Sequence, residues 1–228
     1  MHRAFFIAGT DTDVGKTTIA AGLLHAARLA GLSTAAVKPV ASGCERTEQG
    51  LRNSDALALL AECSLALDYA TVNPFAFEPA IAPHIAAREA GVELTAARLI
   101  EAVQSVMARQ AGVTLVEGAG GWRVPLNARE HLSALPAALG LPVILVVGVR
   151  LGCINHALLS AEAIARDGLA LAGWVANIID PATSRLDDNL ATLAELLPAP
   201  CLGQVPRLAA PTARQVARYL TLPALQSV

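Results

Sequence analysis

Apolar and polar positions follow one another in blocks along this chain, and the period of the blocks changes in a regular way. Ala4-Phe5-Phe6-Ile7-Ala8 is a continuous apolar run, the mark of a strand buried on both faces. A polar segment bounded by glycines follows, and an alanine-rich stretch from Ile19 to Ala30 then predicts a helix. Ser33 to Val37 reads as a second strand. It gives way at Lys38-Pro39, because proline has no N–H for a central ladder. After a polar stretch from Ala41 to Asn53, Ser54 is placed to cap a helix that starts near Asp55. Ala56, Leu57, Leu59, Leu60 and Ala61 form its apolar face. Residues 64–92 carry prolines at 74, 79 and 83 and predict a long, partly irregular excursion.

The alternation then resumes. Leu99, Ile100, Val103, Val106 and Met107 recur at helical spacing within Ala96 to Arg109. Val113 to Val116 is a buried strand that ends in Glu117-Gly118-Ala119-Gly120-Gly121. Leu132 to Leu139 predicts a short helix, Val143 to Val147 a strand, and Ile154 to Ala165 a helix. Ala172 to Ala176 is a strand ending at Asn177, and Ser184 to Leu196 a helix. Cys201 to Gly203 is a short strand and Thr212 to Tyr219 a last helix. Strands alternate with helices without repeat or linker, which predicts one α/β domain over residues 1–228, a mostly parallel sheet with helices on both faces.

Composition narrows this picture. The 228 residues are 54% hydrophobic and 16% charged, enough apolar material for a sizeable core. The net charge of −2 leaves no basic footprint for nucleic acid or an anionic membrane. No apolar run reaches the roughly 18 residues of a membrane span. Phe5 to Ala8 leads straight into the glycine segment, so no cleavable leader is expected. Cys44, Cys63, Cys153 and Cys201 are scattered, with no Cys-x-x-Cys pair, so neither a zinc nor an iron–sulfur site is expected. A reducing, cytoplasmic location follows.

The chemistry gathers in Gly9-Thr10-Asp11-Thr12-Asp13-Val14-Gly15-Lys16-Thr17-Thr18. Strand, glycine loop and helix come in the order that a phosphate-binding loop requires. Glycines let several backbone N–H groups converge on one phosphate, and the helix start adds unpaired N–H groups and partial positive charge. Lys16 supplies a full charge for the outer phosphates, and the Thr17 hydroxyl can reach a magnesium ion. Five residues separate Gly9 from Gly15, one more than in the common motif. The fold expected is therefore of the P-loop NTPase type.

Ligands of such sheets bind beyond the carboxyl ends of the strands. Lys38, Glu117 with its glycines, Leu151-Gly152-Cys153-Ile154-Asn155, Asn177 and Gln204-Val205-Pro206 all lie just after strands. Neighbouring strands are about 4.8 Å apart, so Lys16, Lys38 and Glu117 surround one phosphate if their strands are adjacent. Glu117 closes an apolar strand with an acid, either to hold magnesium or to cap a helix. Asp55 is either a second acid near the metal or a residue that favours a helix start by its charge. Lys38 is either a cation of the site or a surface lysine, and Asn177 either meets a base edge or shapes a turn. Gly152 sits in a second strand-to-helix turn whose N–H groups suit an anion such as a carboxylate. Trp122 and Trp174 are read as packing residues.

Taken together these stretches resemble the dethiobiotin synthetases over nearly the whole chain. The resemblance rests on the Gly9–Thr17 loop, on Lys38-Pro39-Val40-Ala41-Ser42-Gly43, and on Arg52-Asn53-Ser54-Asp55-Ala56. It continues through Asn73-Pro74-Phe75, Pro83-His84, Val116 to Trp122, Gly148 to His156, and Gly173 to Asn177. The resemblance implies a reaction of 7,8-diaminopelargonate with carbon dioxide (or bicarbonate) and MgATP that closes a cyclic urea and releases ADP and phosphate. Carried over position by position, Asp13, Val14, Gly15, Lys16, Thr17 and Thr18 hold the ATP phosphates. Thr17, Asp55 and Glu117 surround magnesium, with Gly118, Ala119 and Gly120 alongside the nucleotide. Lys38 is the catalytic lysine, joined by Lys16. Thr12 and Ser42 touch the substrate, and the backbone at Leu151, Gly152, Cys153, Ile154 and Asn155 receives its carboxylate at a homodimer interface. Asn177, Pro206, Arg207 and Leu208 hold adenine.

The implied chemistry runs from a carbamate on one amine, through its attack on the γ-phosphate, to ring closure by the second amine. It needs no protein nucleophile, and the sequence offers no Ser-His or Cys-His constellation. Two departures from the family stand out. Asp187-Asp188-Asn189-Leu190 lacks the tyrosine that the family can lend to a neighbouring subunit's substrate, so that contact is absent or replaced. Arg207 to Ala210 lacks an acidic residue sometimes found beyond it, which relaxes the expected preference for ATP. The alternative reading is a nucleotide-gated switch of the partition and septum-positioning type. Those usually carry a further lysine early in the glycine loop and a basic amphipathic tail; this loop has no such lysine, and the tail reads Leu222-Pro223-Ala224-Leu225.

Overall fold

The computed structural model describes residues 2–223; Ala224 and Leu225 of the tail lie outside them. The chain opens with β1 (Arg3–Gly9), α1 (Lys16–Leu29) and β2 (Thr34–Val37). Short strands β3 (Val40–Ala41), β4 (Glu45–Thr47) and β5 (Gly50–Arg52) follow, then α2 (Ser54–Ala61), α3 (Tyr69–Val72), β6 (Phe75–Ala76) and α4 (Pro83–Glu89). The alternation resumes with α5 (Ala96–Met107), β7 (Val113–Glu117), α6 (Ala134–Leu139), β8 (Val143–Val149) and α7 (Cys153–Arg166). The last elements are β9 (Leu171–Ile178), α8 (Leu186–Leu196), β10 (Cys201–Val205) and α9 (Ala213–Ala217).

Six strands form one sheet in the order β10-β9-β8-β1-β7-β2, with every pairing parallel. Strands β7 and β8 are buried at every position, which explains their continuous apolar runs. One core lies between the sheet and α1 and α9, built on Ile19, Leu23, Leu24 and Val216. The other packs Leu99, Val103, Leu135, Ile164 and Leu193 against the opposite face. Trp174 is fully buried, and Trp122 packs edge-on against Phe6 with ring centres 5.9 Å apart. Both tryptophans are packing residues, as their positions lead one to expect.

The expected mostly parallel sheet with helices on both faces is present. Local readings shift in three places. Asn53, not Ser54, caps α2: its Oδ1 accepts from the Ala56 N–H at 3.2 Å, and Ser54 is the first helical residue. Either residue type can cap, and tertiary contacts to Asn53 decide between them. The polar stretch from Ala41 to Asn53 contains an antiparallel hairpin, β4 with β5. The excursion over 64–92 contains α3, β6 and α4, and β6 pairs with β3 across Val40–Phe75. A two-residue strand carries too little periodicity to be seen in sequence.

Candidate functional site

The order β1-β7-β2 brings three strand ends side by side. The loop after β1 turns sharply: Asp13 has φ 57 and Gly15 φ 87. Aspartate tolerates that left-handed region better than most residues. At Gly15 a Cβ would also stand 2.2 Å from Asn177 Nδ2, so both conformation and space require glycine. Gly15 caps α1 without any side-chain hydrogen bond. The first-turn N–H groups are therefore left to an external acceptor, which is the anion-binding arrangement. Lys16 Nζ donates to the Asp11 carbonyl at 3.0 Å.

Lys38 follows β2 and Glu117 closes β7. Lys38 Nζ lies 2.6 Å from Glu117 Oε1 and 3.0 Å from Asp55 Oδ2. The Thr17 hydroxyl donates to Glu117 Oε1 at 2.7 Å. Glu117 is 1% exposed and its other oxygen, Oε2, is buried without a partner. A buried carboxylate oxygen left unpaired is costly, and Glu117 lines a cleft together with Thr17 and Asp55. Gly118 follows because a side chain there would strike the Phe6 ring at 2.8 Å.

Burial works against the charge of Lys38, but Glu117 and Asp55 outweigh it and hold the ammonium above its ordinary pKa. Lys16 moves the other way: burial lowers its pKa, Glu117 opposes that, and the Lys38 charge adds to it. Cys63 is pushed up to about 11, chiefly by burial, so its thiol stays protonated at neutral pH.

A cleft of about 860 Å³ collects most of the expected residues. Thr12, Asp13, Gly15, Lys16, Thr17 and Thr18 line one side of it. Lys38, Ser42, Asp55, Glu117, Ala119 and Gly120 line the rest. Val14 and Gly118 are absent from its wall: Val14 is buried beneath the loop, and Gly118 covers Phe6. A second cavity, of about 250 Å³, adjoins Asp13, Gly15 and Thr18 and is lined by Asn177, Pro206, Arg207 and Leu208. Asn177 Nδ2 also donates to the Val14 carbonyl at 2.8 Å, so it shapes the phosphate loop whatever else it does.

Leu151, Gly152, Cys153, Ile154 and Asn155 line neither cavity. Leu151 is 94% exposed, Cys153 is buried, and Gly152 caps α7 without a side-chain hydrogen bond. Arg150, just before this turn, reaches back to Asp11 Oδ2 at 2.7 Å.

Several residues of the site carry no sequence signal. Val40, Ile81, Val124 and Pro125 give the large cleft an apolar wall. Arg123 also lines it, held bidentately by Asp167 at 2.6 and 2.8 Å. Trp122 Nε1 donates to the same carboxylate at 2.8 Å. Arg123 and Asp167 are 44 residues apart, so only the packed structure reveals the pair. Among the described residues no three or more His, Cys, Asp and Glu side chains cluster as a metal site, and no helix is long and apolar enough to cross a membrane.

Comparison with known proteins adds a family context. The family described as AAA domain matches residues 3–215. The ATP-dependent dethiobiotin synthetase BioD of Pseudomonas paraeruginosa is 78% identical over 219 residues, 96% of each chain. The enzymes of the same description from Cellvibrio japonicus and Xanthomonas campestris are 61% and 50% identical, each over 220 residues, with 96% of this chain covered and 96% and 98% of theirs. Among solved structures, a ParA family ATPase of Chlorobium tepidum superposes with a TM-score of 0.58 at 14% identity, covering 96% of this chain and 94% of that one. The septum site-determining protein MinD of Pyrococcus horikoshii gives 0.56 at 18% identity, covering 90% and 82%. At such identities the likeness concerns the fold alone.

Proposed function

The chain belongs to the dethiobiotin synthetase family, and we infer that the cleft at the ends of β1, β7 and β2 is where it forms the cyclic urea. As a family member it is an ATP-dependent ligase that makes C–N bonds. The observation that carries the assignment of the site is the convergence of Lys16, Lys38, Asp55 and Glu117 on one cleft. The switch alternative has only its fold in its favour.

On this reading a carbamate forms on one amine of 7,8-diaminopelargonate and attacks the γ-phosphate of ATP. The resulting carbamic-phosphoric anhydride is closed by the second amine, which expels phosphate. The difficulty is electrostatic, because a carbamate must approach a triphosphate. Two like unit charges 4 Å apart cost about 4 kcal/mol at an effective dielectric near 20. Lys38 offsets this as a cation, held 2.6 Å from Glu117 and 3.0 Å from Asp55. Lys16 leaves the Asp11 carbonyl for the outer phosphates, and the uncapped start of α1 donates its N–H groups to them. A cationic site of this kind also disfavours the ammonium form of the substrate amine, whose free pKa is about 10.4 if it resembles lysine. Ile81, Val124 and Pro125 exclude water along the methylene chain.

Thr17, Asp55 and Glu117 suit magnesium. The ion is hard, takes oxygen ligands, and usually completes its shell with substrate phosphates and water instead of an all-protein cage. The unpartnered Oε2 of Glu117 supports that assignment. When bound, the ion draws charge from the transferring phosphoryl group.

Asn177, Pro206, Arg207 and Leu208 take adenine in the smaller cavity, beside the loop that holds the phosphates. The turn from Leu151 to Asn155 meets the substrate carboxylate of a second copy in a homodimer. The exposure of Leu151 and the uncapped start of α7 support that role. The chain works as one P-loop unit over 1–228, in the cytoplasm.

The test is phosphate release from MgATP with and without diaminopelargonate and bicarbonate. Release that needs both, with an equal amount of dethiobiotin, is the expected outcome. ATP hydrolysis indifferent to both would overturn the reading.

A further inference from the structure

Lys38 lies one residue past the ladder that joins β2 to β7, whose last register pair is Val37 with Val116. Pro39 follows and has no N–H, so sheet pairing stops and the backbone around Lys38 needs other partners. They come from the segment between α2 and β6. The Lys38 N–H donates to the Val72 carbonyl at 2.8 Å. The Lys38 carbonyl accepts from Asn73 Nδ2 at 2.8 Å. Asn73 Oδ1 accepts from the Tyr69 hydroxyl at 3.0 Å, and that same hydroxyl accepts from the Asn53 N–H at 2.7 Å. Asn53 in turn caps α2, the helix that carries Asp55, and its Nδ2 reaches the Ser42 carbonyl at 3.5 Å.

We propose that Tyr69, with Asn53 and Asn73, is a positioning residue of the reaction: a polar bracket that sets Lys38, Ser42 and the Asp55 helix relative to one another. The proposal rests on the reading of the cleft as the site of dethiobiotin formation.

Asn73 and Asn53 are 3% and 6% exposed, so the bond from Asn73 to the Lys38 carbonyl and the Asn53 cap are buried, where a lost partner is not replaced, while the two bonds of the Tyr69 hydroxyl are part-buried. Geometry divides the work between two supports. The sheet fixes Lys38 against Glu117, because β2 and β7 are paired along their length. No strand pairing fixes Lys38 against Asp55, which sits on α2. Among the described residues the bracket runs from the Lys38 backbone to the cap of that helix, beside the Lys38–Asp55 ion pair itself, and its joint is one hydroxyl that donates on one side and accepts on the other. A tyrosine suits the joint. Its ring is held by the Arg52 guanidinium stacked 4.3 Å from the ring centre, so the hydroxyl has little freedom to wander. The phosphate loop hangs from β1 and lies outside this chain of bonds.

Tyr69→Phe removes the hydroxyl and keeps the ring. In full-length enzyme that makes dethiobiotin before mutation, the KM for diaminopelargonate should rise and kcat fall, each by about fivefold to tenfold, the scale of one buried hydrogen bond. The dissociation constant of ATP measured without magnesium should stay at its wild-type value. A merely structural hydroxyl would lower the melting temperature and leave KM and kcat as they were, which would overturn the proposal. If Tyr69→Phe does not fold, the unmutated chain answers instead. Its two tyrosines, Tyr69 and Tyr219, can be replaced by 3-fluorotyrosine and observed by fluorine NMR, with Tyr219→Phe used for assignment. Saturation with diaminopelargonate should shift the Tyr69 line; a stationary line would also overturn the proposal. Failure of the wild-type enzyme to make dethiobiotin would instead overturn the reading of the cleft.

Discussion

The Lys38 ammonium and the Glu117 carboxylate meet at 2.6 Å through Oε1 alone, and the second oxygen of Glu117 is buried with no partner. The pair is lopsided: one oxygen takes Lys38 and Thr17 together, and the other is buried and unsatisfied. A cation with oxygen preference would give the second oxygen a partner. Glu117→Gln should therefore raise the magnesium concentration needed for half-maximal turnover by about tenfold or more, comparable to losses at supporting ligands of other metal sites. Manganese binding followed by electron paramagnetic resonance gives the same answer without turnover. An unchanged metal dependence would remove Glu117 from the ligand set.

Lys38→Ala tests the other partner. Positive charge aimed at developing negative charge is worth about a hundredfold to a thousandfold in turnover, and a loss of that size is expected. Formation of the carbamate itself should weaken as well, seen as a smaller carbamate signal by carbon NMR with labelled bicarbonate. If carbamate formed undiminished while turnover fell, Lys38 would act on phosphoryl transfer only.

Gly15→Ala places a methyl group 2.2 Å from Asn177 Nδ2 at a backbone φ of 87. The left-handed conformation alone costs roughly 1–2 kcal/mol for a residue with a Cβ, and the clash displaces the Asn177 contact to the Val14 carbonyl. ATP binding, measured by calorimetry, should weaken by at least about tenfold, since 1.4 kcal/mol is one decade. Equal affinity would mean that the loop does not hold this shape when nucleotide is bound.

Asp167 offers a pH test away from the reacting groups. Burial works against its ionised form, but the hydrogen bonds from Arg123 and Trp122 prevail and hold its carboxyl below the ordinary value. A folded pKa below the unfolded one, about 3.9, gives stability that is present above that value and lost as pH falls through the folded pKa. Asp167→Asn should cost about 1–3 kcal/mol near neutral pH. That difference should shrink below about pH 4. Urea denaturation across that range checks both, and a difference independent of pH would show that charge is not what holds Arg123.

Much of the architecture was legible in order along the chain. Continuous apolar runs marked the buried parallel strands, and helical spacing marked α5 and α7. The glycine loop announced itself because strand, turn and helix are all local. Ser54 looks like the cap in sequence because Asn53 and Ser54 satisfy the same local rule. Asn53 takes the role through bonds to Tyr69 and Ser42, which are remote in sequence.

What the chain alone determined was the set of elements and the chemistry available at their ends, since burial on one face or two writes itself into periodicity. The tertiary structure decided which ends meet. Lys38 and Glu117 are 79 residues apart, and Trp122 and Asp167 are 45 apart. Their contacts follow from β7 lying between β1 and β2, and from the loop after β7 folding onto the end of α7. Strand order is settled by how whole faces pack together, and no local pattern of apolar and polar residues contains that information.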